Sequence, residues 1–505
     1  MVTLGRRCGD AVLWAVCLLV AGPTVHAQSA DPPLWSYFGG SSAFTRYAPL
    51  AQIDRDTVRD LRIVWRRPAI DSTLTRAFPS LRPSNYLRST PILVDGILYA
   101  SNAVGLVEAF EPGTGETIWT QPPPSSTLAG VAGRAAHGVA FWADGDDRRI
   151  LSLRNSSLYA LDARSGRPVP GFGDGGRVDL TPTGARVANG GASPIVVGDV
   201  VVVAGTVDGA GDSGVRWKGS LAENVRGYDV RTGELRWTFH VVPRPGEFGA
   251  ETWGDGSLAP SGDLGAWCCL SADLELGYVY VPLTAPTAAY YGGHRPGDNL
   301  FSNSLVALDA ETGERVWHFQ MVHHDLWEYD TIGPPTLGEI TVEGRRIRAV
   351  MQPSKTGFLY VFDRVTGEPV WPIEERPVPP SAVPGEQTSP TQPFPTKPPP
   401  FAHHGVTQAD LIDFTPELQV APGTSPARSR SDRSLRPRPW SATRVMVTRA
   451  RWRCPGLGAL ETGIPVRSIQ KPGFTTRSHT WSHACIVSPT PPTSQGGDDV
   501  LQPES

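Results

Sequence analysis

The chemistry-bearing residues of this 505-residue chain concentrate in the segment HHDLWEYD, residues 323–330, where the carboxylates Glu328 and Asp330 flank Tyr329 directly after Trp327. A positioned carboxylate is the group a general base requires. The same pattern also fits an acidic turn between strands whose side chains cap backbone N–H groups. Lys355, 27 residues after Glu328, is on its own a loop lysine of the kind that is ordinarily solvated. No Cys-x-x-Cys-His is present, so the chain carries no c-type haem of its own. The adjacent Cys268 and Cys269 read as small core residues in preference to a vicinal disulfide, and the four cysteines beyond residue 27 imply no disulfide framework.

Whatever these side chains do, short strands and tight turns must position them. Gly and Pro make up about a fifth of the residues, charged residues are 19%, and there are 15 Trp, a composition that favours an all-β fold. An internal repeat sharpens this. AFEPGTGETIW (109–119), ALDARSGRPVP (160–170), GYDVRTGELRW (227–237), ALDAETGERVW (307–317) and VFDRVTGEPVW (361–371) each place an acidic residue four before a Gly, and all but the second place a Trp four after it. The Gly supplies the positive φ of a tight turn, the acid caps the turn, and the Trp at its fixed offset is expected to dock one unit on the next. Further hairpins lie upstream, as in TPILVDGILYAS (90–101) and ASPIVVGDVVVVAGT (192–206). Two hairpins make a four-stranded blade, so the fold expected is a β-propeller, with six or seven blades recognisable between Trp35 and Val420.

A net charge of −4 and a pI near 6.3 give no overall attraction to nucleic acid or anionic lipid. Arg6 and Arg7, an apolar run over 11–21 and small residues ending at Ala27 read as a cleavable signal peptide over 1–27, with no transmembrane span in the mature chain. The expected propeller domain is 28–420. The remainder, 421–505, has nine Arg and no Lys between Arg428 and Arg453 and neither strand alternation nor repeat. It reads as an irregular Arg/Pro-rich tail of frame-shifted character, in preference to a basic arm for nucleic acid or membrane.

Across 35–420 the chain resembles the PQQ-dependent dehydrogenases, nearest the membrane glucose dehydrogenase branch. The resemblance is carried by RYAPLAQIDRDTVRDLRIVW (46–65), HGVAFWADGDDRRI (137–150), RPGEFGAETW (244–253), YYGGHRPGDN (290–299), MVHHDLWEYD (321–330), SKTGFLYVFDR (354–364) and TSPTQPFPTKPPPF (388–401). It implies an eight-bladed propeller that binds pyrroloquinoline quinone (PQQ) and Ca²⁺ and oxidises an aldose sugar or alcohol. A hydride then leaves for the quinone while a base takes the hydroxyl proton. Electrons would pass to a membrane quinone or a separate carrier, and the location implied is periplasmic.

The same resemblance assigns the residues. Glu328 stands where the family has its base, Asp330 is a second carboxylate near the metal or a substitute base, and Lys355 faces the quinone carbonyls as an electrophilic partner. Trp267 is the platform for the cofactor ring. Ser193, Thr206 and His137 contact the cofactor, and Thr287 with Asp208 are metal ligands.

Three departures stand out. Glu328 replaces the family's Asp, which lengthens the arm by about 1.5 Å. His137 replaces an Arg, removing a permanently charged partner. Arg88 and Ser89 precede Thr90 where relatives put Gln or Glu. These changes keep open a second reading, a propeller that binds partners without turnover, and a third, a reading frame whose ring does not close.

Overall fold

The computed structural model describes residues 35–82, 89–133, 137–180, 193–207, 221–254, 256–258, 261–266, 269–287, 290–331 and 333–405, with the side chains of 206 and 207 left out. The expected signal segment and the 421–505 tail lie outside them.

Among the described residues, six antiparallel sheets follow one another. Four are complete four-stranded blades, spanning 92–120, 140–179, 195–239 and 271–320. A fifth, 336–363, has three strands and an isolated bridge between Phe362 and Pro369 in place of a fourth. The last is a two-stranded ribbon, Ile373–Pro377 with Thr391–Pro395, so part of the Pro-rich stretch is a strand. Among the described residues the α-helices are the short Ser72–Ala77 and Leu128–Val131. The all-β blade architecture expected from the repeat is the observed one.

The inner strands are apolar on both faces because a dry layer lies on each side of a blade. Along Val200–Val207, Val200 and Val202 pack toward Leu270, Val279 and Val281 of the fourth blade. The intervening Val201 and Val203 pack toward Leu151 and Leu158 of the second. The period of two of a strand thus turns the unbroken run VVVV into two half-layers. The layer between the first and second blades, with Ile92, Val107, Ile150 and Leu161, is built alike. So is that between the fourth and fifth, with Tyr280, Leu305, Val350 and Tyr360.

The repeated turns dock these layers at the rim. Each acid caps its own turn: Asp309 Oδ1 accepts the N–H groups of Glu311 (3.0 Å) and Thr312 (2.9 Å), and Asp229 Oδ1 those of Arg231 (2.8 Å) and Thr232 (2.7 Å). Three of the four repeat Trp, Trp119, Trp237 and Trp317, reach the turn of the following blade. The indole N–H groups of Trp119, Trp237 and Trp317 donate to the carbonyls of Ala163, Ala310 and Arg364 at 3.1, 3.0 and 3.2 Å. Their rings lie against Gly166, Gly313 and Gly367 of those turns. Trp65 does the same ahead of the first blade, bonding Pro112 O at 2.8 Å against Gly115.

The second copy of the repeat has no Trp, and its interface is held differently. Arg149 donates to Val230 O (2.9 Å) and Arg231 O (2.7 Å), while the Arg231 guanidinium lies 4.8 Å from the Trp142 ring centroid. A cation on a ring and two carbonyl bonds take the place of one indole.

One expectation is corrected. Cys269 is buried, as a small core residue would be, but it is disulfide-bonded, its partner lying outside the described residues.

Gly313 and Gly344 share a left-handed backbone, φ +75° and +79°, yet a Cβ on Gly313 would stand 2.5 Å from the Trp237 ring whereas one on Gly344 meets nothing within 4 Å. Gly344→Ala is therefore expected to cost about 1 kcal/mol from backbone strain alone, and Gly313→Ala a further ~1–3 kcal/mol from overpacking. Urea-unfolding midpoints measure the difference, and equal midpoints would contradict the docking role of the Trp–Gly contact.

Candidate active site

The segment 323–330 leaves the outer strand of the fourth blade, Arg315–Gln320, as a tight irregular turn with His324 and Glu328 at positive φ (48° and 59°). Such a backbone in non-glycine residues persists only where its surroundings fix it. Asp325, fully buried, does so from inside: Oδ1 accepts Trp327 N–H at 2.8 Å, and Oδ2 accepts Tyr329 N–H at 2.6 Å and Asn303 Nδ2 at 2.9 Å. Burial pushes its pKa up to about 6 against the opposing pull of these bonds and of Arg295. Arg295, 0% exposed, donates to Thr287 O (3.1 Å), to Asn299 Oδ1 (2.7 Å) and to Asp325 O. From the ribbon, Gln392 clamps the start of the turn: its Oε1 accepts His323 N–H (2.9 Å) and its Nε2 donates to His323 O (2.7 Å).

This framework brings Glu328, Asp330 and Lys355 together. Lys355 Nζ lies 2.5 Å from Asp330 Oδ2 and 3.8 Å from Glu328 Oε2. Asp330 is occupied on both oxygens, since Oδ1 accepts Ala285 N–H at 2.9 Å. It is therefore placed as the counter-ion of Lys355. Glu328 Oε2 accepts the hydroxyl of Tyr290 at 2.6 Å.

Burial raises the pKa of Glu328, Lys355 pulls it back down, and Asp330 adds to the rise. Burial works to lower the pKa of Lys355 but is outweighed by Asp330 and Glu328, so the amine is held as ammonium. The arrangement is a carboxylate more basic than usual beside a fixed cation, which suits removal of a proton and stabilisation of the oxyanion left behind.

Thr287 reaches the same neighbourhood through the segment that carries Ala285. It is fully buried, and its Oγ1 accepts Gly262 N–H at 3.0 Å. Beside Gly262 stands Asp263, whose pKa is pushed up to about 8 by burial and by the charges of Glu223, Asp330 and Glu328; burial likewise raises Glu223 to about 7. Among the described residues no three His, Cys, Asp or Glu converge on a single metal position.

Ser193 and His137 gather at a second place, around Phe38. His137 packs edge-on to that ring at 6.4 Å between centroids, and Ser193 shares a small cavity with Phe38, Phe44 and Cys269. The Ser193 hydroxyl is buried with no hydrogen-bond partner among the described residues. Thr206 lies on the strand Val200–Val207 with its backbone opposite Asn224, next to Glu223. Trp267 and Asp208 fall outside the described residues.

Tyr290, Asp263 and Glu223 were not singled out from sequence. Tyr290 lies in YYGGHRPGDN, whose resemblance was visible but whose side-chain roles were not. Asp263 and Glu223 belong to segments without acidic periodicity.

Residues 35–451 match the family model described as the β-propeller domain of PQQ glucose/ethanol/alcohol dehydrogenases. The chain belongs to this family. It is 31% identical over 411 residues to the glycerol dehydrogenase large subunit of Gluconobacter oxydans, covering 78% of this chain and 54% of that protein. Identity to the quinoprotein glucose dehydrogenase of Escherichia coli is 30%, covering 71% of this chain and 46% of the relative. The crystal structure of the quinohemoprotein alcohol dehydrogenase from Comamonas testosteroni superposes with a TM-score of 0.56 at 25% identity, over 74% of this chain and 53% of that one. The family member described here thus spans about half the length of the curated relatives it matches. Among its described residues no helix is long and apolar enough to cross a membrane.

A carboxyl whose folded pKa lies above its unfolded value holds its proton more tightly when folded, so its contribution to stability falls as pH rises through that interval. For Glu223 and Asp263, raised to about 7 and about 8, the loss runs from roughly pH 4 to pH 8. Glu223→Gln and Asp263→Asn are each expected to raise the urea midpoint at pH 8.5, by the equivalent of ~1–3 kcal/mol, and to leave it nearly unchanged at pH 4. The same gain at both pH values would show that the carboxyls are not strained by ionisation.

Proposed function

We propose that this chain is a quinoprotein dehydrogenase that oxidises an aldose sugar or alcohol with PQQ and calcium, and passes the electrons to a membrane quinone or separate carrier outside the cytoplasm. The observation that carries the reading is the pairing of Glu328 with Lys355 at 3.8 Å, in a chain whose family is named for these substrates.

The donor set fits the cofactor. PQQ is flat and carries carboxylates and quinone carbonyls, and it asks for a cation, hydroxyl donors and an aromatic floor. Lys355 supplies the cation, the buried hydroxyl of Ser193, which has no partner among the described residues, is a donor, and His137, Thr206 and Trp267 are the further contacts proposed. For calcium, Thr287 and Asp208 are the ligands proposed, and the elevated pKa values of Glu223 and Asp263 mark a neighbourhood short of positive charge.

When bound, PQQ supplies the two-electron acceptor for the hydride that leaves the substrate carbon. The chain's own residues do the rest. Glu328 accepts the hydroxyl proton of the substrate on Oε2. Lys355 holds positive charge where negative charge develops, and Asp330 keeps the ammonium in place through its 2.5 Å contact. Tyr290, 40% exposed, stands on the solvent side of the base.

Reconstituted with PQQ and Ca²⁺, the protein should reduce an artificial electron acceptor with at least one member of a sugar and alcohol panel. Glu328→Gln should lower that rate on the order of 10²- to 10⁴-fold without abolishing saturable quenching of tryptophan fluorescence by PQQ. Quenching with no turnover on any substrate would favour the binding-only propeller, and no quenching at all would remove the cofactor from the account.

A further inference from the structure

We propose that Tyr290 is a positioning residue for the base: its hydroxyl holds Glu328 Oε2 at the mouth of the site, and a substrate hydroxyl takes its place. The inference rests on Glu328 acting as the base.

The need for such a residue follows from the backbone. Glu328 has φ +59°, so no regular element directs its side chain, and two methylenes separate its carboxylate from the backbone. Lys355 does not supply the missing restraint, because its close contact, 2.5 Å, is to Asp330, and Glu328 Oε2 stands 3.8 Å away. The short bond to that oxygen is the one from Tyr290, 2.6 Å.

Tyr290 is also built to leave. Its ring is 40% exposed, while the chain just beyond it is pinned: Tyr291 donates its hydroxyl to Pro384 O (3.3 Å), Gly292 N–H reaches Glu386 Oε1 (3.4 Å), and Arg295 is locked among Thr287, Asn299 and Asp325. The exchange asks for a rotation of the Tyr290 side chain and for no movement of the loop. A phenol O–H and an alcohol O–H are equivalent donors to a carboxylate, so the exchange makes and breaks no covalent bond. The phenol keeps its proton throughout, since burial and the charge of Glu328 hold its pKa far above neutrality. The charges facing Glu328 are Lys355, Asp330, Asp325 and, across the segment 262–263, Asp263.

The test compares the full-length protein with Tyr290→Phe, labelled with ¹³C at the glutamate carboxyl carbon and free of metal and cofactor, the Glu328 signal being identified by its loss in Glu328→Gln. A hydrogen bond to the ionised form lowers a carboxyl pKa, so Tyr290→Phe should raise the Glu328 midpoint by about one unit. Tyr291→Phe, which loses only its loop contact, should leave that midpoint in place. With PQQ and Ca²⁺ bound, the acid limb of kcat/KM should move to higher pH by the same shift, and above that limb KM should fall several-fold with little change in kcat, because the substrate hydroxyl no longer has to displace the phenol. An unshifted midpoint in an enzyme that turns over overturns the positioning role alone. A shifted midpoint in a protein without any PQQ-dependent turnover overturns the substrate exchange together with the proposed function.

Discussion

A guanidinium removed from water has to find a full set of acceptors, and at Arg295 that requirement organises the site. The side chain is fully buried, and although burial lowers its pKa to about 10 it remains charged at neutral pH. It draws in Thr287 O, Asn299 Oδ1 and Asp325 O, one from each of three segments. Breaking such an arrangement leaves a buried charge uncompensated, which is far more costly than the arrangement is stabilising. The segments are therefore held in one register. The consequence is passed on through Asp325, whose carboxylate folds the 325–329 turn and so sets Glu328 at its left-handed backbone.

The second layer of control is ionic. Lys355 comes from the loop after Arg345–Pro353, in a different blade from Glu328, and the distance between them depends on how the fourth and fifth blades meet. That interface is fixed by Trp317 on the turn of Gly367, by the apolar layer containing Tyr280, Leu305 and Tyr360, and by Asp273, which bonds Arg364 (2.6 Å) and Arg348 (3.0 Å). Distant docking contacts thus bear on chemistry, because a shift of about 1 Å in a reacting group costs on the order of a hundredfold in rate.

What could be read in the sequence is what local chemistry encodes. The acid-to-Gly turns, their caps and the docking of Trp119, Trp237 and Trp317 onto the following turns depend on residues at fixed offsets, and the structure reproduces them. The meeting of Glu328 with Lys355 was legible too, through resemblance and spacing. The partnership of Asp330 with Lys355 was not, because either carboxylate of 323–330 could have faced the lysine until the turn's backbone was known. Tyr290, Glu223 and Asp263 escaped notice for a related reason: they converge from separate blades and loops, and convergence leaves no periodic trace in one chain. A disulfide at Cys269 was ranked behind a plain core cysteine because burial and pairing look alike in sequence.

In the proposed function Glu328 is the base for a substrate hydroxyl, beside a cofactor held by Lys355. Anaerobic mixing of the PQQ-loaded, Ca²⁺-containing protein with a substrate, followed through the absorbance of the quinone, tests this in one turnover and needs no external acceptor. The account predicts that an aldose or alcohol converts the oxidised spectrum to the reduced one in the native protein and that Glu328→Gln, with PQQ bound, stays oxidised over the same interval. Equal reduction in both proteins would contradict it.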